Sequence, residues 1–147
     1  MTEFGAFSAL LLSAFLSATL LPGSSEAALV SLLADTDAGG PAALVAVATF
    51  GNVLGSCVNW LLGRFFAHFR DRRWFPVSPR AYDRAIGWYK RYGVWSLLLA
   101  WVPVVGDPLT LAAGVMRTDL RWFLPLVTIG KLARYLAIAA GFLWWSQ

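Results

Sequence analysis

The chain is short of everything that metal centres and disulfide scaffolds are made from. Among 147 residues there is one cysteine, Cys57, so no disulfide can form within the chain, and one histidine, His68, so no Cys/His set exists to hold a metal. No cofactor is expected. Charge is scarce: 14% of residues are Asp, Glu, Lys or Arg, against about 25% in average soluble domains. No Lys or Arg precedes Arg64. The opening "MTEFGAF" therefore lacks the basic start of a secretory signal peptide, and the apolar pattern resumes beyond Glu26, so cleavage is not expected. No nucleophile–base pair is visible either; Ser24 and Ser25 have no placed histidine, and the chain is not expected to be an enzyme.

What the chain has is apolar surface. It is 59% hydrophobic, with eight Trp and ten Phe. A soluble domain of this size would expose too much of that surface to water. Phe4 to Ala34 carries one charge, Ala42 to Gly63 none, Gly93 to Met116 one and Trp122 to Ser146 two. A spanning helix needs about 20 apolar residues. The second and fourth windows each suit one crossing, whereas the first and third are interrupted.

The interruptions repeat. "LPGSSE" breaks the first window and "VPVVGDP" the third, each with Pro, then Gly, then an acid. Proline removes a backbone donor and glycine adds freedom, so each break reads as a tip between two short helices. The tip residues are Pro22, Gly23, Ser24 and Ser25 in the first, and Pro103, Gly106 and Pro108 in the second. About nine residues from Glu26 to Ala34 are too few for a crossing, so a re-entrant hairpin is predicted, its tip buried in protein or lining a wet cavity. The expected fold is an all-α integral membrane protein built as an inverted-topology repeat. Each repeat is a re-entrant helical hairpin followed by a transmembrane helix. Repeat 1 covers residues 1–64, a basic amphipathic linker 65–92, and repeat 2 covers 93–147, in a single membrane domain.

Charge sets the expected orientation. Arg64, the linker and "RTDLR" together hold ten Lys and Arg residues, while the segments assigned to the other side hold none. By the positive-inside rule the linker is cytoplasmic and both termini are periplasmic in a bacterial inner membrane. "SPRAYDRAIGWYKRY" reads as an amphipathic helix capped by Ser78, with Pro79 first and Tyr82, Ala85, Ile86, Tyr89 and Tyr92 on one face. Such a helix usually lies at the headgroups. Trp144 and Trp145 suit an interface at the end of the last span.

Four charges inside apolar windows are the candidate chemistry: Glu26, Asp107, Lys131 and Arg134. Each costs about 2.5–3.5 kcal/mol at a bilayer centre, so pairing or water is expected. Lys131 and Arg134 are three apart, share a helical face and are predicted to meet one or both tip acids. An inert ion pair that fixes packing is the plain alternative. A broken tip also presents open N–H groups where anions bind, and a buried carboxylate can carry a proton. Asn52, Ser56 and Asn59 lie at helical spacing beside Gly51, Gly55 and Gly63. They read as close packing with polar glue, or, for Asn52 and Asn59, as cavity lining. Arg64 reads as a snorkelling anchor or as a residue that gathers substrate.

"FLSATLLPGSSE", "GNVLGSCVNWLLGR", "WYKRYG", "WVPVVGDPLTLAAGVMR" and "GKLARY" together resemble the YqaA-like branch of the DedA family, also called the SNARE-associated or VTT-domain family. The resemblance covers nearly the whole chain. It implies two facing re-entrant hairpins in a small helical bundle of the bacterial inner membrane, links to membrane homeostasis and proton-motive force, and movement of lipids that include undecaprenyl phosphate and phospholipids. Pro22 and Glu26 match the later part of the family's first tip, whose earlier acid is here Ser17 or a neighbour. Gly63 and Arg64 match the "GR" closing the next helix, and Ala113–Gly114 an "AG" after the second tip. At that tip Pro103 matches, but the family's arginines are absent and Asp107 follows Gly106; Lys131 and Arg134 would supply positive charge from the neighbouring helix.

The resulting expectation is a flippase or scramblase for an anionic lipid phosphate, with membrane lipids and protons as partners, no nucleic acid, and a homo-oligomer as an open option. The alternatives are a proton-coupled small-ion transporter and a non-transporting membrane scaffold.

Overall fold

The protein is described from a computed structural model covering residues 2–19, 23–35 and 37–147; Pro22 lies outside the described residues. Among the described residues six α-helices follow one another: α1 Glu3–Thr19, α2 Ser24–Leu33, α3 Pro41–Phe66, α4 Pro79–Tyr92, α5 Gly106–Val115 and α6 Leu120–Trp145. Short 3₁₀ segments occupy Ala67–Phe69 and Gly93–Trp101, and no strand occurs among the described residues. At 1.5 Å per residue, α3 and α6 are each about 39 Å long, more than the roughly 30 Å of a bilayer's hydrocarbon. Both are apolar enough to cross. The ten residues of α2 reach only about 15 Å and cannot cross.

The chain forms two compact units, Met1–Gly55 with Lys131–Gln147, and Ser56–Gly130. In the first, α2 doubles back along α1. Ser24 Oγ donates to the Ser13 carbonyl at 3.3 Å, and a Cβ on Gly39, beyond the far end of α2, would meet the Phe7 ring at 2.9 Å. Gly23 begins the return at φ 88°, in the left-handed region that only glycine enters without steric cost. Ala6, Leu10 and Ala14 recur every fourth residue and give α1 one buried stripe, packed with Leu29 and Leu32 of α2, Leu44, Val45 and Ala48 of α3, and Tyr135 and Ala139 of α6. The sequence "GNVLG" brings α3 onto α1: a Cβ on Gly51 would lie 2.6 Å from the Leu11 carbonyl oxygen, and one on Gly55 2.5 Å from the Ala18 Cβ. Small residues spaced by four permit this approach.

In the second unit the end of α3 and α5 approach through reciprocal glycines. A Cβ on Gly63 would sit 2.0 Å from the Leu111 carbonyl oxygen, and one on Gly114 2.0 Å from that of Trp60. The arm before α5 is nine residues of 3₁₀ helix, an unusual length for that geometry. It turns into α5 through a γ-turn at Val104, with φ 70° and Val105 N–H donating to the Pro103 carbonyl at 2.8 Å. This is a strained conformation for a β-branched residue. The amphipathic helix α4 forms as its pattern predicts: Ser78 Oγ accepts from Ala81 N–H at 3.3 Å, Pro79 is its first residue, and Tyr82, Ala85 and Tyr89 are buried. That face packs on α5, with Tyr82 beside Leu111, Phe75 and Val77, so protein covers it. Tyr92, read from the sequence as part of the same face, is 54% exposed because α4 ends there.

Candidate functional site

In the first unit, polar side chains converge where α2 begins. Glu26 lies in the first turn of α2, where a carboxylate is favoured by the helix dipole. Its Oε1 pairs with the Arg134 guanidinium of α6; the side chains are 32% and 15% exposed. One residue earlier, Ser25 is fully buried and accepts from the Tyr135 hydroxyl at 2.8 Å. The same hydroxyl accepts from Asn52 Nδ2 at 2.8 Å, and Asn52 Oδ1 accepts from Lys131 Nζ. Lys131 is only 2% exposed. A continuous polar chain, Lys131–Asn52–Tyr135–Ser25, thus runs from α6 through α3 to α2 beside the Glu26–Arg134 pair.

The helical period explains the convergence. Lys131, Arg134 and Tyr135 are offset by three and four, so α6 presents them together. Gly51 and Gly55 draw α3 onto α1, so Asn52 is enclosed rather than facing outward. The first-turn N–H groups of α2 have no acceptor within their own helix, and Ser25 and Glu26 ride on that turn. Pairing the two half-buried charges offsets part of the cost of carrying either into apolar surroundings.

The second unit holds the remaining predicted residues. Asn59 on α3 is buried and donates to Thr110 Oγ1 of α5 at 3.3 Å, and Thr110 in turn donates to the Asp107 carbonyl at 2.7 Å. Asp107 sits in the first turn of α5, with Gly106 and Pro108 buried beside it. Pro103 lies in the exposed turn before it. Arg64, in the last turn of α3, lies over the Trp60 ring with its guanidinium carbon 5.1 Å from the centroid, a cation–π distance.

Arg64 also lines a cavity of about 380 Å³ together with Trp60, Arg117, Thr118, Asp119 and Leu120. The Trp60 indole donates to the Thr118 carbonyl at 3.1 Å, and Thr118 Oγ1 bonds the Tyr89 hydroxyl. Burial raises the Tyr89 pKa, while its bond to Thr118 lowers it by less, so the phenol stays neutral. Asp119 caps α6, accepting from Arg121 N–H at 3.0 Å and from its guanidinium at 3.0 and 3.1 Å. The backbone bond first, and then the guanidinium, hold the Asp119 carboxyl below its ordinary range.

The structure therefore brings Glu26 to Arg134 and Lys131 to Asn52. Tyr135, the hub of the chain, gave no sequence signal beyond an aromatic at helical spacing, nor did Thr110. Among the described residues no group of three or more His, Cys, Asp or Glu side chains gathers as a metal site.

A family model described as the VTT domain matches residues 21–142. The chain is similar to the "Inner membrane protein YqaA" of Escherichia coli, 45% identical over 99% of each chain. It is 38% identical to a protein of Haemophilus influenzae over 86% of this chain and 81% of that one. Similarity at 28% identity extends to the "Undecaprenyl phosphate transporter A" of Staphylococcus aureus, over 59% of this chain and 47% of the relative. No solved structure matches. The chain belongs to the VTT-domain (DedA) family, in its YqaA-like branch.

Proposed function

We propose that the protein moves an anionic lipid phosphate, undecaprenyl phosphate or a phospholipid, across the bacterial inner membrane. The observation that carries the reading is the Glu26–Arg134 pair beside a buried polar chain at the start of a helix too short to cross a bilayer. An anionic headgroup competes with Glu26 for Arg134 and meets the N–H groups at the start of α2. Protonation of Glu26 frees Arg134 for the headgroup, which links movement to the proton gradient. Lys131 and Asn52 hold the far end of the polar chain. Asp107, opening α5, is the second acid of the repeat, and Asn59 and Arg64 serve the headgroup in the second unit.

In this reading α1–α2 and the 3₁₀ arm with α5 are re-entrant hairpins of an inverted repeat, with the basic linker cytoplasmic and both termini periplasmic. Pro22, Gly23, Ser24 and Ser25 make one tip, and Pro103, Gly106 and Pro108 the other. An apolar groove of about 480 Å³ on the first unit, lined by Phe4, Phe7, Leu11, Val47 and Phe50 among others, offers acyl chains a surface that a small soluble ion would not use. The relative named as an undecaprenyl phosphate transporter supports the same class of cargo.

The test is reconstitution into liposomes with fluorescent phospholipid or labelled polyprenyl phosphate, reading the fraction exposed in each leaflet with and without a pH gradient. The expected result is faster movement of at least one lipid, lost in Glu26→Gln and Arg134→Gln chains that still fold. If neither lipid moves faster than in protein-free vesicles under either condition, the reading fails. Proton-coupled ion flux in the same vesicles would put the small-ion transporter in its place.

A further inference from the structure

Arg117 occupies a position that suits another residue. The Arg117 N–H donates to the Gly114 carbonyl at 3.0 Å and the Thr118 N–H to that of Ala113 at 2.9 Å. These two bonds end α5 in a Schellman motif with Arg117 at the left-handed position, where glycine is the usual occupant. Arg117 adopts φ 55°. An arginine standing where glycine fits without steric conflict points to a use for its side chain, and Arg117 lines the cavity shared with Arg64.

The cavity's charge defines what it takes. Asp119 takes two guanidinium bonds from Arg121 and is also attracted by Arg64, and Arg64, Arg117 and Arg121 together outweigh it by two positive charges. Guanidinium groups suit phosphate oxygens through paired donors. The walls are fixed before any ligand arrives: Trp60 is tied to the Thr118 carbonyl and Tyr89 to the Thr118 hydroxyl. At about 30 Å³ per water, the volume admits a phosphate with part of its hydration shell. The apolar lining from Trp60 and Leu120 suits the first carbons of a lipid.

We propose that Arg64 and Arg117 form a binding site for a phosphate monoester, presented as the headgroup of a lipid in the leaflet facing the basic linker. Two positive charges match the double charge of a monoester better than the single charge of a phosphodiester. This deepens the role given above to Arg64, and it rests on the membrane-lipid reading only for the source of the phosphate.

The experiment is native mass spectrometry of the full chain in detergent, titrated with phosphatidic acid, with phosphatidylglycerol, and with soluble glycerol 3-phosphate. Phosphatidic acid is expected to bind about tenfold tighter than phosphatidylglycerol, the worth of one added ionic contact near 1.4 kcal/mol. Arg117→Gly relieves the left-handed strain, so it should melt no lower than the parent while losing that tenfold preference; Arg64→Gln should lose it too. Arg80→Gln, on the exposed face of α4, should keep it. Equal binding of the two lipids, an unchanged preference in Arg117→Gly, or the same loss in Arg80→Gln would each overturn the site. Glycerol 3-phosphate binding as tightly as phosphatidic acid would overturn the lipid source. Lipid movement is not read in this assay, so binding without movement sinks the proposed function and leaves this pocket standing, and the reverse result does the opposite.

Discussion

Neutralising Glu26 tests the core of the site. Glu26→Gln keeps the side chain's shape and leaves Arg134, near the middle of the 26-residue α6, without its carboxylate. At contact distance and an effective dielectric near 20, the pair attracts by about 4 kcal/mol. Desolvation offsets part of this, and Glu26, about a third exposed, keeps some access to its surroundings. Insertion scales put a lone arginine at a helix centre at about 2.5–3.5 kcal/mol. A net loss of about 2 kcal/mol is expected, roughly a 30-fold shift toward the unfolded state. Arg134→Gln leaves Glu26 stranded and should cost a similar amount, but the double variant should cost much less than the sum. The measurement is reversible unfolding in bicelles for all four chains, closed into a double-mutant cycle. A coupling below about 0.5 kcal/mol would refute the claim that the half-buried pair is mutually compensating, and with it the view that a headgroup competes with Glu26 for Arg134.

Tyr135→Phe deprives Asn52 and Ser25 of a shared partner and should cost about 1–2 kcal/mol in the same unfolding assay. Gly114→Ala, whose Cβ would lie 2.0 Å from a backbone oxygen, should destabilise by about 3 kcal/mol, whereas Gly87→Ala, with nothing within 4 Å, should stabilise α4 by about 0.5–1 kcal/mol; equal effects would contradict the α3–α5 crossing. Tyr89 titrates above its ordinary 10.0. Since its folded pKa is raised, its contribution to stability is complete below pH 10 and is lost as pH rises through the folded value. Absorbance at 295 nm should show phenol ionisation above pH 10, and Tyr89→Phe should remove one phenol's share of that late phase.

Local features were legible in the sequence because local rules govern them. Ser78 and Pro79 begin α4 as their chemistry dictates, the Gly-containing breaks separate short helices, and the spacing of Lys131 and Arg134 puts both on one face of α6, from which Arg134 meets Glu26 and Lys131 meets Asn52. Features that depend on the partner were not legible. Tyr135 looks like any aromatic on an apolar helix until Asn52 and Ser25 stand at its hydroxyl. Arg117 reads as one more positive-inside charge, since nothing in "MRTDL" marks its left-handed backbone. Nor did composition announce that Gly93–Trp101 winds as a 3₁₀ helix, because an apolar run of nine residues serves either helical form.

The stripe on α3 decides how such variants must be interpreted. Asn52, Ser56, Asn59 and Gly63 follow one another at four, three and four residues, and all four are buried. In the first unit the stripe meets Lys131 and Tyr135 through Asn52; in the second it meets Thr110 through Asn59 and the α5 backbone at Gly63. Lipid gives helices no hydrophobic reason to associate, so close backbone approach and hydrogen bonds must hold them. The groups that hold α3 are therefore partly the groups proposed to serve the headgroup. Of the two sequence readings, packing glue is the one these contacts describe, and cavity lining by Asn52 and Asn59 belongs to the proposed function. Asn52→Ala should lower stability and transport together, while Asn52→Asp, which retains the acceptor for Lys131 but not the donor to Tyr135, should separate them. If Asn52→Asp folds as well as the parent yet moves lipid at the rate of empty vesicles, the donor to Tyr135 belongs to transport; if lost transport always tracks lost stability across both variants, Asn52 is structural.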